Sequence, residues 1–173
     1  EEPTKIEAEQ KTIESNTPLK YLNIISFTLQ FEEDYFNVLE MLKNAEIPLK
    51  REDRSEDDPL IIAGGPCATA NPMPLSDYID LFIIGEGENV LNKLLDEYLL
   101  EPNKDLEKFL GIDGVYIPKY NNKTKIALVE DMDNAYHITQ PVISKSNDES
   151  LQTVFNNTIM LNVSRGCTRG CRF

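Results

Sequence analysis

Two short apolar runs, each ended by glycine, constrain the fold of this chain most strongly. The first run is LIIA at residues 60–63 and stops at Gly64 and Gly65, and the second is LFII at residues 81–84 and stops at Gly85. Continuous apolar runs of this length are typical of strands that are buried on both faces, as in a parallel sheet. Glycine at the carboxyl end of such a strand allows a sharp turn and lets a ligand approach the backbone.

Helical patterns on either side of these runs supply the layers that would cover such a sheet. Residues 21–27 are a further strand candidate, and an amphipathic helix is expected over residues 33–45. After the second run, apolar residues spaced three and four apart predict a longer helix. Its apolar face consists of Leu91, Leu94, Leu95, Tyr98 and Leu99. The pattern predicts an α/β, three-layer domain of the flavodoxin-like or Rossmann-like class.

The remaining residues are assigned to less regular parts of the chain. Residues 1–19 read as a polar arm, residues 20–100 as the α/β domain, and the charged residues 51–59 as a solvated loop. Residues 101–157 predict a short helix, a β-hairpin extension that pairs residues 115–118 with residues 125–129, and a polar linker. Residues 158–173 begin with another buried-strand candidate, TIMLNV.

Composition narrows the classes of partner and compartment. The 173 residues carry a net charge of −13, which disfavours nucleic acid and anionic membranes as partners. No apolar run approaches the roughly 18 residues that a membrane span requires. Three cysteines form no disulfide framework, so a reducing compartment is favoured and we expect the protein in the cytoplasm.

Two cysteines near the end of the sequence are the first residues that indicate redox chemistry. Cys167 and Cys171 lie on a glycine-containing loop directly after the last strand candidate. Closely spaced thiolates are the usual ligands of iron-sulfur clusters. Two thiolates are too few for a cluster, and the spacing alone leaves two ordinary loop cysteines as an equally good interpretation.

The residues around these cysteines resemble a known family. The segment MLNVSRGCTRGCRF is similar to the first strand and cluster loop of radical S-adenosylmethionine (SAM) enzymes, whose loop reads C-x3-C-x2-C. The resemblance implies that Cys167 and Cys171 ligate a [4Fe-4S] cluster and that the third cysteine would follow Phe173. In that family the cluster binds SAM and cleaves it reductively to a 5′-deoxyadenosyl radical. These residues would then begin the barrel of an Fe-S oxidoreductase whose substrate is unknown.

The earlier segments resemble the cobalamin-binding-like domain that precedes this barrel in one branch of the family. The resemblance rests on IIAGGP and on D-x-F-I-I-G-E-G-E, and it implies that the first two strands of the domain are missing and that the domain is incomplete here. Cobalamin is thereby a candidate cofactor, although nothing matches the cobalt-ligating motif D-x-H-x-x-G, and the single histidine, His137, lies in the linker. The implied cofactor-binding residues are Ser26, Gly64, Gly65, Gly85, Glu86 and Gly87.

Two simpler interpretations stay open beside this resemblance. The glycines can serve only the tight turns after buried strands, and Glu86 and Glu88 can serve only to balance the positive end of the following helix. The 173 residues can also form a non-catalytic flavodoxin-like module that binds a corrinoid, a nucleotide or a partner. If the resemblance to radical SAM enzymes holds, we expect the segment itself to be catalytically inactive, because it lacks the third cysteine and nearly all of the barrel.

Overall fold

A four-stranded sheet forms the centre of the first of two compact units, Glu1–Val129 and Glu130–Phe173. The computed structural model describes residues 10–136, 138–139, 165–166 and 169–171. Strands β1 to β3 are parallel, and β4 pairs with β3 in the antiparallel sense. In spatial order the strands are β1 (Ile24–Thr28), β2 (Leu60–Gly64), β3 (Leu81–Ile83) and β4 (Val115–Tyr116).

Helices lie on both faces of the sheet. The α-helices are α1 (Asp34–Asn44), α2 (Pro66–Ala70) and α3 (Gly87–Leu100). The 3-10 helices are Leu19–Tyr21, Arg51–Asp53, Met73–Leu75 and Leu106–Phe109. Within the described residues, no helix is both long enough and apolar enough to span a bilayer.

Alternation along the strands divides the core into two apolar clusters. One face of the sheet packs against α1 and α2, and its central residues are Ile61, Ala63 and Phe82. The opposite face packs against α3 and the 3-10 helix Leu106–Phe109, through residues that include Ile62. Period-two alternation places neighbouring residues of a strand on opposite faces, so both faces of β2 are buried. The predicted three-layer α/β fold of the flavodoxin-like or Rossmann-like class is confirmed.

Two element boundaries differ from the sequence-based expectation. The strand predicted over residues 21–27 begins only at Ile24, because Tyr21 N donates to the Pro18 carbonyl and closes a 3-10 turn there. The short helix expected near residues 103–110 is the 3-10 helix Leu106–Phe109. Asp105 caps its amino end, because the Asp105 carboxylate accepts from Glu107 N at 3.0 Å. Both changes come from local turn hydrogen bonds that apolar periodicity does not reveal.

The predicted β-hairpin takes a different form. Val115–Tyr116 pairs with β3, while Ala127 bridges Gly85 in the parallel sense. Ile84 joins the two segments, since its N–H donates to Gly114 and its carbonyl accepts from Ala127. Both segments therefore extend the sheet beside β3, because the edge of β3 offers each of them buried backbone partners.

Parts of the predicted organisation lie at or beyond the limits of the described residues. From residue 10 onward the predicted polar arm contains an antiparallel bridge between Lys11 and Pro18. The strand predicted at residues 158–163 and the linker residue His137 lie outside the described residues.

The sequence predicts a solvated loop at residues 51–59, but one side chain of this loop, Arg54, is buried. The Arg54 side chain is 3% exposed and contacts the Asp80 carboxylate at 3.2 Å. Arg54 also donates to the carbonyl of Tyr78 at 2.5 Å and to those of Pro48 and Leu49 at 3.3 Å. Asp80, in turn, accepts from Ile61 N at 2.7 Å. The guanidinium therefore ties this loop to the amino ends of β2 and β3.

Replacing Arg54 by methionine should lower the free energy of unfolding by about 3–5 kcal/mol, because the Asp80 carboxylate stays buried without its cation. Lys50→Met is the matched control, since it breaks the exposed Lys50–Glu52 pair at 3.6 Å and should cost less than about 1 kcal/mol. Urea unfolding followed by circular dichroism measures both values.

The pH dependence of the stability lost in Arg54→Met distinguishes a charge effect from a packing effect. Burial raises the pKa of Asp80, against the opposing influence of Arg54 and of the Ile61 N–H. Stability that depends on protonated Asp80 is present at low pH and is lost as the pH rises through the folded-state pKa. The deficit of Arg54→Met should therefore be smaller near pH 4 than near pH 8, and an equal deficit at both would contradict the assignment.

Candidate functional site

The carboxyl ends of β1, β2 and β3 meet at one edge of the sheet, since these strands are parallel. Thr28 is paired with Gly64 at this edge, and Ser26 lies two residues earlier on β1, beside Ile62. Ser26 and Thr28 are exposed, whereas Gly64 is half-buried. Alternation places Ser26, Thr28 and Gly64 on the same face of the sheet. The structure thus brings Ser26 and Gly64 to one surface, and their role in cofactor binding stays a prediction.

Gly65 is required by the packing of the chain against itself. Its φ is 95°, and an added Cβ would lie 2.8 Å from the Leu29 carbonyl oxygen. Leu29 extends β1 past its end, because its N–H donates to Gly64 at 2.8 Å and its carbonyl accepts from Cys67 N at 3.2 Å. This close approach needs a residue without a side chain.

Gly85 has a similar structural role at the end of β3. Its φ is 102°, and an added Cβ would collide with the backbone of Ala127. Its N–H donates to the Thr69 hydroxyl on α2 at 2.9 Å. The space beside Gly85 is therefore filled by residues 126–127 of this chain.

The side chain of Glu86 fastens the same segment. Its carboxylate accepts from Val129 N, and its backbone N–H donates to the Ala127 carbonyl at 2.8 Å. Glu86 is the N-cap residue of α3 but makes no side-chain cap hydrogen bond to that helix, whereas Glu88 lies in the first turn. Of the two predicted helix-balancing acids, only Glu88 lies inside the helix, near its positive end.

Gly64 and Gly87 differ from the other two glycines. A Cβ on Gly64 would meet its nearest neighbour, Ile83 Cβ, at an ordinary 3.6 Å, and one on Gly87 would meet nothing within 4 Å. Neither residue has a positive φ. Packing therefore does not explain glycine at these two positions, which leaves close approach by a ligand as an open reason for it.

Comparison with known proteins decides the family. The family described as "Radical SAM proteins, N-terminal" matches residues 2–118 of the sequence. The chain belongs to this family. The uncharacterized protein MJ0966 of Methanocaldococcus jannaschii is 29% identical over 166 residues, which cover 93% of this chain. The chain spans 32% of the length of that relative. No solved structure matches the chain significantly.

The cysteines of this radical SAM N-terminal chain have different surroundings. Cys171 is exposed, and Cys167 lies outside the described residues. Cys67 is 9% exposed and belongs to the core cluster on the α1 side. Desolvation, together with the carboxylates of α1 and the residues before it, raises the pKa of the Cys67 thiol, which disfavours the thiolate that metals require.

The described part of the chain does not contain a complete metal site. It holds no group of three or more His, Cys, Asp or Glu side chains arranged to bind a metal. The exposed Cys171 is accessible, but a [4Fe-4S] cluster needs more thiolates than this residue and Cys167 provide. The residues present therefore do not by themselves fit the cluster that the family implies.

Sequence analysis missed two polar side chains that hold the edge together. Thr69 accepts from Gly85 N, and the Asn122 amide accepts from Ile117 N at 2.7 Å and donates to the Val115 carbonyl at 2.9 Å. The predicted β-hairpin had placed Asn122 between its two strands, at residues 115–118 and 125–129, but it gave no partner for the Asn122 side chain. No sequence signal distinguishes Thr69 from the other small residues of α2.

Gly85→Ala should destabilise the fold by more than about 1 kcal/mol, because φ is positive there and Ala127 occupies the place of the methyl group. Gly87→Ala is the matched control in the first turn of α3 and should change stability by less than about 1 kcal/mol. Thermal unfolding of both variants measures the difference. Equal losses would mean that the Gly85 turn relaxes without cost.

Proposed function

We propose that this chain is the amino-terminal part of a radical SAM Fe-S oxidoreductase. The observation that carries the proposal is the match of residues 2–118 to the radical SAM N-terminal family, followed in the same chain by the cysteine loop RGCTRGC. The cluster and SAM together would supply a 5′-deoxyadenosyl radical to a substrate of unknown class. Cysteine usage supports a reducing compartment, the cytoplasm.

In this proposal Cys167 and Cys171 are two of the three cluster ligands. The third would be a cysteine outside these 173 residues, because the one remaining cysteine of the sequence, Cys67, is buried in the core of the first unit. Arg165 and Arg169 are exposed and lie near Cys171 in the sequence, so this segment carries positive charge in a chain whose net charge is −13. That charge suits the carboxylate of SAM or an anionic substrate.

The α/β unit would act mainly as a scaffold in such an enzyme. Its Gly65 and Gly85 turns are filled by the backbone of Leu29 and Ala127. No step of the radical reaction is therefore assigned to the first unit. We infer that these 173 residues are inactive without the rest of the polypeptide.

Anaerobic reconstitution with iron and sulfide should give the 173-residue chain less than one stable [4Fe-4S] cluster per molecule. A longer natural polypeptide that includes the chain should reach one cluster, with broad visible absorbance and matching iron content. Cys171→Ala in the longer polypeptide should abolish that cluster, whereas Cys67→Ala, which removes a buried thiol, should keep it. Full loading of the short chain, or a cluster that survives Cys171→Ala, would refute the ligand assignment.

A second candidate function is binding of a corrinoid or a nucleotide at the carboxyl edge. One observation favours it: exposed Ser26 and Thr28 lie on the same face as Gly64, which packing does not require to be glycine. Ligand tails lie closely against backbone where no side chain intervenes. Cobalamin is the corrinoid that the resemblance suggests, and it would bind without a histidine ligand from D-x-H-x-x-G.

Calorimetric titration with cobalamin and with adenosine nucleotides tests this candidate. If a ligand lies against Gly64, Gly64→Ala should weaken its binding about tenfold or more, since a methyl group would intrude by more than a bond length. Gly111→Ala is the control, because a Cβ at Gly111 has nothing within 4 Å and Gly111 belongs to none of the strands β1 to β3. If neither the unchanged chain nor Gly64→Ala binds a ligand, or if both bind it equally, the proposed site at Gly64 is refuted.

A further inference from the structure

A small polar cavity lies between the two connections that lead into β2 and β3. Its volume is about 160 Å³, and the residues that line it are Lys50, Arg51, Glu52 and Asp77. Arg51 begins the 3-10 helix before β2, and Asp77 lies between the 3-10 helix Met73–Leu75 and β3. Arg51 N donates to the Asp77 carbonyl at 2.8 Å, which joins the two connections beside the cavity. The cavity is therefore separate from the carboxyl edge, because these connections enter their strands at the amino ends.

The Arg51 guanidinium in the wall of this cavity lacks an anionic partner. The side chain is half-buried, and its Nε is buried without a hydrogen-bond partner in the described part of the chain. An unsatisfied buried donor on a cation is costly, because its hydration is lost and nothing replaces it. Desolvation lowers the pKa of the nearby Arg54, and the positive charge of Arg51 contributes to the lowering. An anionic group in the cavity would satisfy Arg51 and offset this repulsion.

Asp77 brings the opposite charge to the same cavity. Its side chain is exposed, and among the ion pairs of the described residues none joins Asp77 to Arg51. The other two charged side chains of the lining, Lys50 and Glu52, pair with each other at 3.6 Å. The cavity thus presents one cation and one anion that no direct contact neutralises. A molecule with both charges could bridge them.

The size and charge of the cavity limit the ligand further. Pockets that hold cofactors usually measure about 300–1,000 Å³, so a volume of about 160 Å³ is too small for a nucleotide or a corrinoid. One water occupies about 30 Å³ of the liquid, which leaves room for several waters or for a molecule of the size of a free amino acid. The carboxylates of Glu52 and Asp77 disfavour a phosphate dianion, because like charges repel.

We propose that this cavity binds a small zwitterion with the chemistry of a free amino acid. The ligand's carboxylate contacts the Arg51 guanidinium, and its ammonium group contacts the Asp77 carboxylate. Such a ligand would tie together the connections that lead into β2 and β3, and its binding would stabilise the first unit. The inference is independent of the proposed function, because it uses neither the cluster cysteines nor the carboxyl edge of the sheet.

Titration of the 173-residue chain, followed by the NMR shifts of its amide signals, tests the proposal. The three probes are free glycine, acetate and methylammonium, compared at one ionic strength so that salt screening is constant. Free glycine should shift the amide signals of Arg51, Glu52 and Asp77 until they saturate. It should bind at least about tenfold more tightly than either single-charge probe, because it alone satisfies both charged groups. Absence of saturable shifts, or acetate binding as tight as that of free glycine, would overturn the proposal.

Two substitutions assign the two ends of the ligand. Arg51→Met should weaken the binding of both free glycine and acetate at least about tenfold, because both carry the carboxylate. Asp77→Asn should weaken the binding of free glycine by a similar factor but should not weaken that of acetate. Lys43→Met is the control, since it removes one positive charge from an exposed side chain of α1 and should leave binding unchanged. If Asp77→Asn does not affect free glycine, or if Lys43→Met matches Arg51→Met, the zwitterion site is refuted.

Discussion

The complete burial of β2 is the constraint on which the rest of the first unit depends. Leu60, Ile61, Ile62 and Ala63 are each at most 1% exposed, so every backbone polar group of this strand needs a protein partner. β1 satisfies one side along the whole strand. On the other side β3 begins only at Leu81, and Asp80 fills the gap by exchanging hydrogen bonds with Ile61 through its backbone N–H and its carboxylate. Arg54 makes that carboxylate tolerable in the interior, because it supplies the opposite charge at 3.2 Å.

The main elements could be predicted from sequence because their signals are local. The apolar runs of β2 and β3 depend on burial, which leaves a direct pattern in the residues. The helix α3 was predicted from apolar periodicity too, but its buried residues are Val90 and Leu94, while Leu91 and Leu99 of the predicted face are exposed. Arg54 could not be predicted in the same way, since its neighbours Glu52, Asp53 and Ser55 are those of an ordinary solvated loop. Its burial depends on Asp80, which lies 26 residues away. Likewise, the sequence predicted a hairpin where the structure has two segments beside β3. That arrangement depends on the backbone hydrogen bonds of Ile84, which no turn motif indicates.

The candidate site shows the same limit more sharply. Four glycines after two strands predicted one ligand edge, but their surroundings divide them into two kinds. Gly65 and Gly85 are occupied by the chain's own backbone, whereas Gly64 and Gly87 are not constrained by packing. Sequence could not separate these kinds, because the atoms that fill the space belong to Leu29 and Ala127, far from the motif. Only the structure shows which glycines a ligand could still approach.

Because the Gly85 turn is filled by the chain itself, the accessible part of the carboxyl edge lies at β1 and β2. Glu86 and Gly85 use their polar groups to hold residues 127–129 and Thr69, so the β3 end is closed by the protein itself. Ser26, Thr28 and Gly64 remain at the part of the edge that β1 and β2 form. A ligand at this edge would contact the face of the sheet, through the Ser26 and Thr28 hydroxyls and the Gly64 backbone. Such contact leaves the pairing of β1 with β2 undisturbed, because backbone pairing occurs in the plane of the sheet and ligand contact occurs across it.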